Sequence, residues 1–236
     1  MTIASVQNVS FRYPGYEHWI LKDFSLELYD REVLAIIGKS GCGKSTLIRL
    51  ISGLLMPTKG QIQIESNRRV GVVFQDHRLL PWKTVFENVA LPIRKESREK
   101  QRKTVCEVLE LVGLSHTENY YPSELSGGMA QRVALARALV QSPDILLMDE
   151  PFGALDAITR AQIQVDFERI QQQKKMSVVL ITHEVNEAVR LADRVMVLSQ
   201  AQVVDTLNID LPHPRTVTNM HVVEYAAKVL NLLTHS

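Results

Sequence analysis

The apolar run Val33-Leu34-Ala35-Ile36-Ile37 leads directly into Gly38-Lys39-Ser40-Gly41-Cys42-Gly43-Lys44-Ser45-Thr46, and this junction leaves the fold little freedom. The nonapeptide fits the phosphate-loop pattern G-x-x-x-x-G-K-[ST]. The run before it reads as a buried parallel strand. Behind it, Leu47, Ile51, Leu54 and Leu55 recur at helical spacing. Strand, glycine-rich loop and helix together form a cradle for phosphate. The glycines let backbone N–H groups turn inward, and the helix N-terminus adds its positive dipole end. In such a loop Lys44 reaches the β- and γ-phosphates, and Ser45 is placed to ligate Mg²⁺. The expected fold is therefore α/β, a P-loop NTPase with a mostly parallel sheet core, and the expected ligand is a nucleoside triphosphate.

Further short apolar runs at 70–74, 145–148, 178–181 and 195–198 read as the other buried parallel strands. Segments 3–9, 24–28 and 61–64 instead alternate apolar and polar residues, as in an antiparallel β subdomain. Helical stripes follow: Val105, Val108, Leu109 and Val112, with Gly113 as a stop; Met129, Val133, Ala136 and Val140; then 157–173 and 184–191. The last stretch, 207–236, is weakly patterned, with a short helical look at 222–233. The stretch between two parallel strands is too long for a plain crossover. It predicts one domain over 1–236 with an inserted helical subdomain at about 76–140.

Charge and cysteine content narrow the function classes. The net charge is +1, which gives no electrostatic reason to expect a nucleic-acid surface. The densest charge run, Arg94 to Lys103, mixes signs and reads as a solvated helix start. Cys42 lies in the phosphate loop and Cys106 in an apolar helical pattern, so the two cysteines make no disulfide framework or metal-ligand spacing. No signal-peptide pattern opens the chain, and no apolar run approaches the ~18 residues that span a bilayer. A soluble, cytosolic protein is expected, with membrane contact only through a partner.

Two further elements carry chemistry. Ile145-Leu146-Leu147-Met148-Asp149-Glu150 is an apolar strand ending in two acids, where ligands of parallel sheets bind. Asp149 is placed to hold Mg²⁺ through its water shell, and Glu150 to polarise a water for attack on the γ-phosphate. Leu125-Ser126-Gly127-Gly128-Met129-Ala130-Gln131-Arg132 puts an N-capping serine and two glycines at a helix start, a second anion-binding helix end in one chain.

These elements, in this order, resemble the ATP-binding-cassette (ABC) ATPases. Leu125 to Met129 resembles their signature motif, and the series Tyr13, phosphate loop, Gln75, signature, Asp149-Glu150, Ala154-Leu155-Asp156 and His183 matches theirs over essentially the whole chain. The resemblance implies that Tyr13 stacks on adenine and that residues 38–46 hold the phosphates. It implies that Gln75 touches Mg²⁺ and the attacking water, and that His183 hydrogen-bonds the γ-phosphate and positions Glu150. Ser126, Gly127, Gly128 and Met129 would meet an ATP held by the opposite subunit, and Asp156 would cross the interface of a head-to-tail dimer. The chain departs from the family in Met129, where Gln is common, and in Ala154, where Ser is frequent.

Those departures, with Asp76 to Val85, Asp149 to Ala157 and Asp210 to Arg215, look like ATPase subunits of the nitrate/sulfonate/taurine importer group. The implied function is the ATP-hydrolysing, energy-coupling subunit of a bacterial ABC importer. It would sit at the inner face of the cell membrane, bound to a permease and served indirectly by a solute-binding protein. A groove near Gln75 to Val89 would receive a permease helix. Two alternatives share the chemistry: a stand-alone ABC ATPase acting on nucleic acid or ribosomes, and the ATPase subunit of an efflux transporter. No long coiled-coil insertion and no second cassette supports the first; the subgroup stretches argue against the second.

Overall fold

In chain order the elements are β1 (Thr2–Phe11), β2 (Leu21–Tyr29), β3 (Val33–Gly38), α1 (Lys44–Ile51), β4 (Lys59–Ile64), β5 (Val70–Val73), α2 (Val85–Ala90), α3 (Arg98–Leu111), α4 (Gly127–Leu139), β6 (Ile145–Asp149), α5 (Ala157–Lys174), β7 (Ser177–Thr182), α6 (Val185–Leu191), β8 (Arg194–Ser199), β9 (Gln202–Asn208) and α7 (Met220–Thr234). They come from a computed structural model that describes residues 1–234. The chain divides into two compact units, one of Met1–Arg68, Leu147–Glu150 and Met176–Ser236, the other of Arg69–Leu146 and Pro151–Lys175.

The first unit is built on two sheets. β3 lies between β7 and β8, parallel to both, with Ile36 opposite Ile181 on one side and Met196 on the other. All six residues of β3 and of β7 are buried, as continuous apolar runs in a sheet covered on both faces must be. Residues 147–149 of β6 run beside β7. The second sheet is antiparallel, ordered β2-β1-β4, and Leu21, Phe24, Leu26 and Leu28 point one side of β2 into the core. Two features depart from the sequence pattern. The helix after the phosphate loop stops at Ile51, Gly53 takes a left-handed φ of 74°, and Leu54 is exposed, so the apolar spacing outruns the helix. β9, absent from the sequence reading, pairs antiparallel with β8. The turn between them uses Gln200 and Ala201 at φ of 44° and 69°, positions where Asn-Gly is the recognisable signal.

The N-terminal end of the parallel sheet is tied by side chains. Asp193 accepts from the N–H of Val33 at 2.8 Å, and Glu32 meets Arg194 at 3.1 Å. Burial pushes the Asp193 carboxyl up, but the hydrogen bond from His213, the Val33 N–H and the charge of Arg215 outweigh it and hold it below its ordinary value. The folded state therefore favours the charged form. That stabilisation is present above the ordinary carboxylate range and is lost as pH falls through the lowered value. Arg215 is buried and donates five hydrogen bonds to the carbonyls of Val189, Ala192, Ile209 and Leu211, fastening the segment before α7 to the end of α6. Arg215→Met is expected to cost about 2–4 kcal/mol, because those carbonyls lose their partner inside the protein. The check is the urea midpoint at unchanged m-value; a loss below about 0.5 kcal/mol, the level of an ordinary surface change, contradicts it.

The second unit is mainly helical. Thr84 and Glu87 close a reciprocal cap on α2, and Ser97 caps α3 by accepting from Lys100 N–H at 3.3 Å. α3 ends where Gly113 turns left-handed and Leu114 N–H returns to Leu109 O at 2.8 Å. Val105, Val108 and Leu109 are buried, whereas Cys106, despite its apolar neighbours, is exposed. β5 lies beside β6, whose first residues belong to this unit. Pro151–Lys175 joins the unit because α5 packs on α4: Asp166 pairs with Arg132 at 2.6 Å, and Arg132 also donates to Val112 O at 2.8 Å. That grouping links stretches far apart in sequence, which periodicity along the chain does not show.

Candidate functional site

The phosphate loop leaves β3 at Gly38 and enters α1 at Lys44. Gly43 carries φ of 102°, and a Cβ there would lie 2.6 Å from the carbonyl oxygen of Ile20, so only glycine fits. No side chain caps α1, so no side-chain acceptor takes up its first N–H groups, as an anion site requires. Lys44 is buried, with its ammonium donating to Gly38 O at 2.7 Å and Lys39 O at 3.1 Å. Two loop carbonyls thus hold the cation that the motif assigns to phosphate.

Ser45 Oγ donates to Asp149 Oδ1 at 3.0 Å, which joins the helix start to the end of β6. Asp149 is buried, and burial, with Glu150 close by, raises its pKa against the lowering effect of the Ser45 hydrogen bond. The next residue, Glu150, holds φ of 44°, a left-handed backbone that costs a non-glycine residue about 1–3 kcal/mol and recurs at functional sites. Its N–H is fixed on Ile181 O at 2.9 Å, and its carboxylate meets His183 Nδ1 at 3.0 Å. With that carboxylate ionised, Nδ1 is the donor of the contact, since a carboxylate only accepts. His183 stands on a braced turn, because Thr182 Oγ1 accepts from Glu184 N–H at 3.0 Å and donates to Glu187.

Tyr13 follows β1 and reaches α1 with its hydroxyl. Its hydroxyl is 3.2 Å from Thr46 Oγ1 and accepts from Arg49 at 3.3 Å, and its ring meets Phe11 edge-on. Arg49, one turn beyond Thr46, also lends positive charge to Asp149. Sequence reasoning passed over Arg49 and the Thr182–Glu187 brace. The three-residue spacing from Thr46 to Arg49 was a usable signal; nothing local marks Glu187.

The remaining candidates lie in the second unit. Gln75 follows β5 and is exposed. Ser126 caps α4 by accepting from Met129 N–H at 3.2 Å, so Gly127 and Gly128 form its first turn. A Cβ on Gly128 would come within 2.6 Å of Thr159, so glycine lets α4 approach α5 closely. Asp156 caps α5 through the N–H groups of Ile158 and Thr159, at 3.1 and 3.0 Å, and those bonds, Thr159's first, lower its pKa. The structure thus joins Lys44, Ser45 and Asp149 at one loop, pairs Glu150 with His183, and sets Gln75, the signature and Asp156 in a different unit.

Residues 21–153 match the ABC transporter family. The aliphatic sulfonates import ATP-binding protein SsuB 1 of Shouchella clausii is 48% identical over 212 residues, covering 90% of this chain and 84% of the relative. The nitrate transport protein NasD of Klebsiella oxytoca is 43% identical, covering 90% and 87%. A solved dimeric ATP-binding cassette in a post-hydrolysis state, bound to ADP and phosphate, superposes with a TM-score of 0.80 at 32% identity, covering 89% of this chain and all of that one.

Proposed function

The chain belongs to the ABC transporter family, and from that premise we propose that it is the ATP-hydrolysing, energy-coupling subunit of an importer for an aliphatic sulfonate, taurine, nitrate or a related small solute. The observation that carries this reading is the Ser45–Asp149 and Glu150–His183 pairing at the phosphate loop of a chain 48% identical to a sulfonate-import ATP-binding protein. An efflux ATPase would share the chemistry but not those relatives. A stand-alone ATPase acting on nucleic acid or ribosomes is not favoured by them.

In this mechanism residues 38–46 enclose the phosphates of ATP and Tyr13 faces the adenine. Ser45, Asp149 and, by family pattern, Gln75 are oxygen donors suited to Mg²⁺, which takes few protein ligands besides phosphate and water. Bound there, Mg²⁺ would neutralise charge on the β- and γ-phosphates. Glu150 accepts the proton of the attacking water as the new P–O bond forms and the bond to ADP breaks. His183 holds the Glu150 carboxylate through Nδ1–H. Its Nε2 serves the γ-phosphate as a donor only when that nitrogen is protonated too.

Ser126, Gly127, Gly128 and Met129 would complete the site of a second copy, with Asp156 at the boundary of a head-to-tail dimer. ATP would close that dimer and product release would reopen it, moving a membrane permease that a solute-binding protein supplies. The chain would then sit at the inner face of the membrane through that permease. Among the described residues, no helix is long and apolar enough to cross a membrane. Purified protein is expected to hydrolyse ATP only with Mg²⁺, and its rate per chain should rise with protein concentration, because each site needs two chains. A rate per chain independent of concentration in a monomeric sample would overturn the shared site.

A further inference from the structure

The His183 side chain is 51% open to solvent, so packing alone does not hold its imidazole against Glu150. Its backbone has to do so. Thr182 and Glu187, which flank it in sequence, are buried, at 2% and 6% exposure. A buried acid is costly unless it is hydrogen-bonded. Glu187, in the first turn of α6, takes the proton of the Thr182 hydroxyl at the end of β7. A hydroxyl has one proton and two lone pairs. With the proton committed to Glu187, the Thr182 oxygen is left as an acceptor, and Glu184 N–H meets it at 3.0 Å. Residue 183 is thus held between two bonded neighbours. At the end of the adjacent strand, Glu150 N–H is tied to Ile181 O at 2.9 Å, so both sides of the 3.0 Å His183–Glu150 contact are anchored on β7. Glu184 Oε1 stands 4.0 Å from Nε2 of the same ring, a rival carboxylate that a looser turn would bring into play.

We propose, resting on the ATPase reading of this site, that Glu187 is a positioning residue for hydrolysis: it orients the Thr182 hydroxyl, which fixes the turn that holds His183 against Glu150. Glu187 acts through Thr182 and needs no contact with nucleotide in this role. Loss of the clamp should slow the chemical step and spare ATP binding, since a misplacement of about 1 Å can cost on the order of 10²-fold in rate. The hydrogen bond made by one ring nitrogen of a histidine decides where the proton sits. A freed His183 should therefore carry its proton less often on Nδ1.

The test compares variants at one protein concentration with saturating ATP and Mg²⁺. Thr182→Val keeps the shape of the side chain and loses the hydroxyl. Glu187→Leu removes the acceptor with a side chain suited to a buried position. Thr182→Ser keeps the hydroxyl. Arg215→Met is the control, because it loosens the other end of α6 at Val189 and Ala192. Thr182→Val and Glu187→Leu should each lower kcat about tenfold or more while the Kd for ATP stays within about twofold. Thr182→Ser and Arg215→Met should turn over within about twofold of wild type, the latter despite its lower stability. In protein carrying nitrogen-15 histidine, the His183 ring signals, assigned by their loss in His183→Ala, should show less Nδ1–H in Thr182→Val and Glu187→Leu alone. Near-wild-type turnover in Glu187→Leu overturns the inference, and this variant decides it if Thr182→Val does not fold. A slowing that Arg215→Met matches, or one that leaves the His183 signals unchanged, overturns it too. Wild-type turnover with unaffected variants defeats this inference alone, whereas absent turnover in the wild-type chain defeats the ATPase reading beneath it.

Discussion

Glu150→Gln is expected to leave ATP bound and to slow its hydrolysis by about 10²-fold or more, the scale of a lost general base. Gln preserves the shape of the side chain and an oxygen that can accept from His183 Nδ1–H, so the 3.0 Å contact can persist. It also suits the backbone as well as Glu does, since both pay the same left-handed strain at φ of 44°. Only basicity is removed. The variant should therefore melt like the wild type, bind nucleotide with similar affinity and fail at the chemical step. Single-turnover hydrolysis beside a binding isotherm reads both; turnover within a few-fold of wild type removes Glu150 from its role.

Lys44→Ala is expected to abolish turnover and to weaken ATP binding by at least tenfold. The ammonium is buried in the loop, held by Gly38 O and Lys39 O at 2.7 and 3.1 Å. A charge-assisted hydrogen bond contributes about 1.5–3 kcal/mol, and its loss matters more as charge develops on the transferred group. Alanine also frees those two carbonyls to repel phosphate oxygens. Affinity and rate both unchanged in this variant would remove the loop from its assigned role.

The parts of this molecule legible in its sequence are those where one local rule decides the outcome. β3 and β7 are buried along their whole length, so Val33–Ile37 and Val178–Ile181 stand out as unbroken apolar runs. Gly43 and Ser126 are dictated by the turn and the cap they form. The hidden parts depend on partners distant in sequence. The turn before β9 uses Gln200 and Ala201, residues without a turn signature, and β9 itself is only half-buried. α5 joins the helical unit through Arg132–Asp166, a pairing that no window of sequence contains. Arg215 looks like a surface arginine beside two prolines, yet backbone carbonyls from two segments enclose it. At the candidate site, Glu150 and His183 stood in the family order, but their direct contact needed the structure.

The central claim is that two copies of this chain share each ATP, with the signature of one completing the phosphate loop of the other. Sedimentation of the Glu150→Gln protein tests it most directly, because ATP should be trapped there unhydrolysed. The expected result is a monomer without nucleotide, a dimer with ATP and Mg²⁺, and a monomer again when Ser126→Arg is added, since a long cation would fill the start of α4. A Glu150→Gln protein that binds ATP yet stays monomeric, or a dimer indifferent to Ser126→Arg, would contradict it.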